Sequence, residues 1–132
     1  MLVRGRQGRF YVPAYSSIAA GGGATRIDLT VTLSIRNMSQ AAPVRIERVD
    51  YYGTDGALVR AYLDSPRTLA GLGTLEIVIA DKDVQGGTGA KFLVDWSASD
   101  GASPPIAEAV MIGFYGAQGF SFTSSGRVAP RT

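Results

Sequence analysis

From Thr25 to Asn37 the chain alternates: Ile27, Leu29, Val31, Leu33 and Ile35 take every second place, with Arg26, Asp28, Thr30, Thr32, Ser34 and Arg36 between them. A period of two over this length gives a strand with one buried and one wet face, as in an antiparallel sandwich sheet. A polar loop, Asn37-Met38-Ser39-Gln40, separates it from a second run, Val44 to Tyr52, whose alternation slips between Ile46 and Val49 as a β-bulge makes it slip.

The rest of the chain repeats this grammar of short strands and turn residues. Asp55-Gly56 between two β-prone runs predicts a two-residue type I′ hairpin with a return strand over Leu58 to Leu63. Pro66 ends that strand, and Thr68 to Gly73 forms a corner before Leu75 to Ile79. Phe92, Val94 and Trp96 alternate with Leu93, Asp95 and Ser97, and Ile106 to Tyr115 and Phe120 to Val128 follow a turn over Asp100 to Pro105. Phe10 to Tyr15 reads as a first, edge strand, because Pro13 cannot donate to a central ladder. The expected fold is all-β: an immunoglobulin-like antiparallel β-sandwich of about seven or eight strands, with a small β-barrel or jelly roll as the alternative. The 132 residues suit one domain over 10–132, preceded by a flexible basic arm, 1–9, that carries Arg4, Arg6 and Arg9.

Composition narrows the chemistry. A hydrophobic content of 45% argues against disorder, and a net charge of only +2, with acids and bases intermingled, gives no nucleic-acid stripe. Histidine and cysteine are both absent. That removes the Cys nucleophile, the Ser-His-Asp triad and the usual zinc and haem ligands, leaving carboxylate, Tyr, Lys or Arg chemistry or all-oxygen metal sites. No apolar run approaches the ~20 residues of a membrane span, and the first residues lack the apolar core of a secretory signal.

Several groups are candidates for function. Gly113, Gly116 and Gly119 recur every third residue between apolar side chains, a pattern of shaped backbone. With Tyr115 and Gln118 they make a candidate binding segment, to which the pair Tyr51 and Tyr52, one of which must face outward, and Arg127 add aromatic and cationic contacts suited to a protein or glycan interface. Asp81, Asp83 and Gln85 are spaced like the first ligands of a calcium loop, with Gly86 at the turn position, but Phe92 stands where the bidentate Glu belongs, and Lys82 lies between the acids. Calcium is the one cofactor this pattern suggests; otherwise none is expected. Glu108 shares an alternation face with Ile106, Val110, Ile112 and Phe114, and a carboxylate on a buried apolar face would have a raised pKa. The hydroxyls of Ser121, Thr123, Ser124 and Ser125 have no neighbouring base in sequence to activate them.

Ordered motifs run from end to end: Tyr11-Val12-Pro13-Ala14-Tyr15-Ser16, Leu33-Ser34-Ile35-Arg36-Asn37, Tyr51-Tyr52-Gly53-Thr54-Asp55-Gly56, Gly86-Gly87-Thr88-Gly89-Ala90, Glu108-Ala109-Val110-Met111-Ile112-Gly113 and Gln118 to Arg127. In this order they resemble the bacterial domain-of-unknown-function family 3124 over Phe10 to Val128. The resemblance implies no activity and no cofactor; it implies an extracytoplasmic or periplasmic setting, since members often begin with an export or lipoprotein signal. The function expected is a cell-envelope binding module without catalytic activity. A self-associating structural subunit that pairs through strand edges is the alternative, and an oxygen-ligated metal protein or carboxylate enzyme the second alternative. A protein partner or self-association, and peripheral envelope contact, are expected; nucleic acid is not.

Overall fold

The computed structural model describes residues 5–99 and 101–131. The strands are β1 (Gly5–Pro13), β2 (Ser17–Ala20), β3 (Thr25–Asp28), β4 (Thr30–Arg36), β5 (Val44–Tyr52), β6 (Leu58–Ala61), β7 (Arg67–Leu69), β8 (Thr74–Ile79), β9 (Lys91–Ser99), β10 (Ile106–Tyr115), β11 (Gln118–Ser125) and β12 (Arg127–Ala129). A 3-10 turn at Gly21–Gly23 is the only helical element among the described residues. The larger sheet has the order β12-β1-β9-β5-β6, with β7 also on β5; the smaller is β11-β10-β4-β8; β2 and β3 form a separate ribbon. All pairings are antiparallel, and neither sheet closes into a barrel.

The two sheets face each other over one core, the β-sandwich that the alternation predicts. β4 and β8 lie in one sheet and β5 and β9 in the other, so the chain crosses between sheets as in immunoglobulin-like sandwiches. The flanks differ from an antibody domain, because here the first strand joins β9 and the late strand β10 joins β4. Val12, Leu33, Ile35, Val44, Ile46, Val49, Phe92, Val94 and Met111 are fully buried between the layers. Tyr51 packs on Phe92 with ring centroids 4.9 Å apart, and Trp96 stacks with Phe10 at 6.4 Å. Gly8 makes room for that indole, since a Cβ there would stand 2.9 Å from Trp96 Nε1.

Several sequence expectations change in detail. The alternating run at Thr25 is two strands in different sheets, split where Leu29 N–H leaves for Ser16 O at 2.9 Å. The alternation is continuous because Ile27, Leu29, Val31, Leu33 and Ile35 are buried on both sides of the break. The bulge does fall between Ile46 and Arg48. The Asp55-Gly56 turn is longer than a two-residue hairpin: Gly56 N–H reaches Gly53 O at 3.0 Å, and only Gly56 has positive φ, +87°. This is a type I turn followed by a left-handed glycine, with Asp55 Oδ1 accepting the Ala57 N–H at 3.1 Å. The first strand is not an edge, because β12 covers Arg9 to Tyr11; Pro13 is tolerated at its last position, beyond that cover.

The flexible basic arm is also corrected. Residues 5–9 are the first half of β1, paired from Gly5 opposite Ser99, because Arg9 and Gly8 have specific partners on β9; residues 1–4, Arg4 included, lie outside the described residues, as does Asp100. No helix among the described residues is long and apolar enough to cross a membrane.

Candidate functional site

The glycine-spaced segment forms the β10–β11 hairpin. Tyr115 pairs with Gln118 across the turn residues Gly116 and Ala117, and Gly116 has φ +63° while Ala117 has no positive φ. That is the arrangement of a type II′ turn, which wants glycine at its first central place. Within the strands, the other glycines admit the chain's own side chains. A Cβ on Gly113 would collide with Leu29 Cδ2 and stand 2.9 Å from Phe120 Cζ, and one on Gly119 would stand 3.1 Å from Phe114 Cε1.

The hairpin turns its apolar residues the opposite way from the sequence expectation. Ala107, Ala109 and Met111 face the core, whereas Ile106, Ile112 and Phe114 are exposed, Phe114 by 67%. Small inward residues leave space for Phe120 and Phe122, which pack partly buried against the core with stacked rings 6.5 Å apart. Glu108 therefore lies on the outward side of the smaller sheet, beside a cleft of about 220 Å³ shared with Phe10, Ser125 and Gly126. Tyr115, 51% exposed, faces the other side of the hairpin from Phe114, and its hydroxyl stands near Gly21 in the turn between β2 and β3.

The backbone phase matters as much. A two-residue hairpin closes on a hydrogen-bonded pair, and such pairs recur at every second residue. Gln118, Phe120 and Phe122 thus bond to β10, while Gly119, Ser121 and Thr123 point their N–H and C=O groups off the sheet. β10 is the only strand beside β11 among the described residues, so that edge is open. Gln118 to Ser125 contains no charge, no proline and no register shift to blunt it. Towards the far end Ser124 Oγ donates to Pro13 O of the larger sheet, and Gly126 N–H continues the ladder to β10 at Ala107 O, 2.8 Å away.

The other predicted residues lie elsewhere. Tyr51 is a core residue, and its hydroxyl has no hydrogen-bond partner. Burial pushes its pKa up, and the nearby Ser16 hydroxyl offsets this only in part. Ser16 Oγ is already engaged by Gly87, accepting its N–H at 2.7 Å. Around it the 80s loop is tied down: Thr54 Oγ1 donates to Gly86 O at 2.8 Å and accepts the Gly89 N–H at 2.9 Å. Tyr52 and Arg127 belong to the outward side of the larger sheet, where Arg127 pairs in register with Tyr11. The predicted binding residues therefore divide among the hairpin, the core and the opposite sheet.

In the calcium-like loop, Asp83 turns its Oδ1 onto the Gln85 N–H at 3.4 Å, and Asp81 and Gln85 are exposed. No group of three or more acidic side chains gathers to hold a metal ion among the described residues.

Sequence reasoning missed a charged ladder on the outward side of the larger sheet. Arg9 holds Asp95 with two hydrogen bonds, Nε–Oδ1 at 2.6 Å and Nη2–Oδ2 at 3.0 Å, and that contact raises the arginine pKa. Arg48 holds Asp50 at 2.9 Å, and Arg45 holds Glu47 at 3.0 Å. The signal was present in the alternate Arg and Asp positions of β5, but the pairing of Arg9 with Asp95 spans 86 residues of sequence.

A family model described as "Protein of unknown function (DUF3124)" matches residues 7–129. The solved structure described as "Crystal Structure of Thermotoga maritima 1070" superposes with a TM-score of 0.50 at 12% identity, over 91% of this chain and 92% of that one, a likeness of fold alone. No curated protein matches the sequence.

Proposed function

The chain belongs to the DUF3124 family of proteins of unknown function, and from that premise we propose that it is a non-catalytic interaction module of the bacterial cell envelope. Its contact element is the β10–β11 hairpin, which takes an extended segment of a protein partner along the open β11 edge. The observation that carries this reading is the coincidence of that unpaired edge with exposed Ile112, Phe114 and Tyr115 on the same hairpin. Main-chain bonds to an added strand supply affinity, and the neighbouring apolar side chains supply selectivity.

The chemistry of the chain supports a binding role. There is no histidine or cysteine, and the two aspartates that share the larger sheet's outward side, Asp50 and Asp95, are each taken by an arginine. Of the β11 hydroxyls, Ser124 donates to a backbone carbonyl, and Ser125 stands opposite the Glu108 carboxylate with no hydrogen bond between them among the described contacts. The envelope setting is supported by the family resemblance.

The test is a photo-crosslinking residue at position 114 in the native host, with and without Ser121→Pro. Proline at 121 removes only an outward N–H, so adduct formation should fall at least tenfold while the fold persists. Undiminished adducts in the proline variant would remove the edge from the reading. A second reading, self-pairing of two β11 edges, is favoured by their lack of charge; it predicts adducts of twice the chain mass, and a strict monomer by light scattering at high concentration rules it out.

A further inference from the structure

The outward side of the larger sheet is built differently. Its carboxylates lie underneath and its cations on top: the Asp95 and Asp50 side chains are 6% and 9% exposed, whereas their neighbours Arg48 and Arg45 are 62% and 57% exposed. Glu47, its side chain 29% exposed, accepts from Ser97 Oγ at 2.6 Å. Arg127 lies opposite Tyr11, and Arg131 reaches Gln7 Oε1 at 3.0 Å on the same side. Five arginines (Arg9, Arg45, Arg48, Arg127 and Arg131) thus stand over three carboxylates. On the outward side of the smaller sheet the balance reverses, with Arg36 against Glu76 and Glu108. A net charge of +2 therefore hides a polarised molecule.

From this we infer that the larger sheet docks on a membrane surface carrying anionic phospholipid. The face is an open sheet rather than a furrow, which suits a plane. Two of its guanidinium groups are held in place by buried aspartates, so little side-chain entropy is lost on contact. Tyr11 and Tyr52 share the face, and Leu58, 53% exposed, stands at its β6 edge, where aromatic and apolar groups meet the headgroup layer. At one end a hollow of about 380 Å³ brings the guanidinium groups of Arg6 and Arg45 and the hydroxyls of Thr68 and Ser99, beside apolar Pro43 and Ala98, within reach of a phosphate headgroup. This surface lies on the opposite sheet from the β11 edge, and the inference stands without the hairpin reading.

Co-sedimentation of the whole chain with vesicles tests it: phosphatidylglycerol mixed with phosphatidylcholine against phosphatidylcholine alone. Binding to the anionic vesicles only, falling steeply between 50 and 200 mM salt, is the expected result. Arg45→Gln with Arg127→Gln should weaken it about thirtyfold, because each surface cation contributes roughly one part in a sum that is exponential in free energy. Arg36→Gln on the other sheet, and Ser121→Pro on the hairpin, should leave it unchanged. Thermal melts confirm that each variant folds. Equal binding to neutral vesicles, no binding to either, an effect of Arg36→Gln as large as that of the double variant, or full competition by soluble inorganic phosphate at matched phosphate concentration would each overturn the inference. Retention on polyglutamate without vesicle binding would overturn it in favour of an acidic protein.

Discussion

Asp95 is a carboxylate 4% exposed on the side of a sheet where polar residues normally meet water. It is tolerable there because Arg9 covers it and makes both hydrogen bonds. Removing the guanidinium in Arg9→Met leaves the acid buried and unpaired, and should cost about 2 to 3 kcal/mol in urea unfolding, the arginine being partly screened by solvent. The opposite case is Tyr51, whose buried hydroxyl satisfies nothing. Tyr51→Phe should leave stability unchanged or raise it by up to about 1 kcal/mol, since the lost group had no partner. Burial raises the pKa of both Tyr51 and Tyr62. The unfolded chain therefore ionises first, so stability is complete below about pH 10 and falls as pH rises through the raised folded values. A pH series of melting temperatures should show that alkaline loss reduced in Tyr51→Phe. Beside Tyr51, Gly86→Ala should destabilise by about 1 to 3 kcal/mol, because a Cβ would stand 2.6 Å from Tyr51 Cζ.

At the scale of elements, β11 supplies a contrast that tests its phase. Phe120→Pro removes a ladder bond to Gly113 and should cost about 3 kcal/mol or more, whereas Ser121→Pro, one residue on, should cost little. Equal losses would mean that the edge is not where the hairpin puts it. The elements also show what a sequence can carry. Thr25 to Asn37 revealed its buried face correctly, because Ile27 to Ile35 are buried throughout, yet it concealed the change of sheet at Leu29: alternation reports which side is buried, and both strands bury the same side. Ile106 to Tyr115 misled for a related reason. Its large residues at Ile106, Ile112 and Phe114 face out and its small ones at Ala107, Ala109 and Gly113 face in, because the inner space is already filled by Leu29, Phe120 and Phe122 from other strands. Side-chain volume within one strand cannot report what its neighbours occupy.

Across the whole molecule, the sandwich was legible because most strands announce a period of two and end at Gly, Pro or Asp. The candidate sites were legible only in pieces. The glycines marked the hairpin, but the arginine ladder is assembled from β1, β5 and β9, and its order exists only once the register is set. The result is a two-sided body, with an apolar, open-edged hairpin on one sheet and a cationic plane on the other. A partner strand held at β11 would leave the arginines free, so the two surfaces can act together.

The account rests most directly on the open edge of β11, and amide hydrogen exchange read residue by residue measures it. In the isolated protein the Ser121 and Thr123 amides should exchange within seconds to minutes, while those of Phe120 and Phe122, bonded to β10, are slowed at least a hundredfold. Capture of a partner strand should slow Ser121 and Thr123 and leave Phe120 and Phe122 as they were. Equal protection of all of these amides in the isolated chain would contradict the account, since the edge would then already be covered.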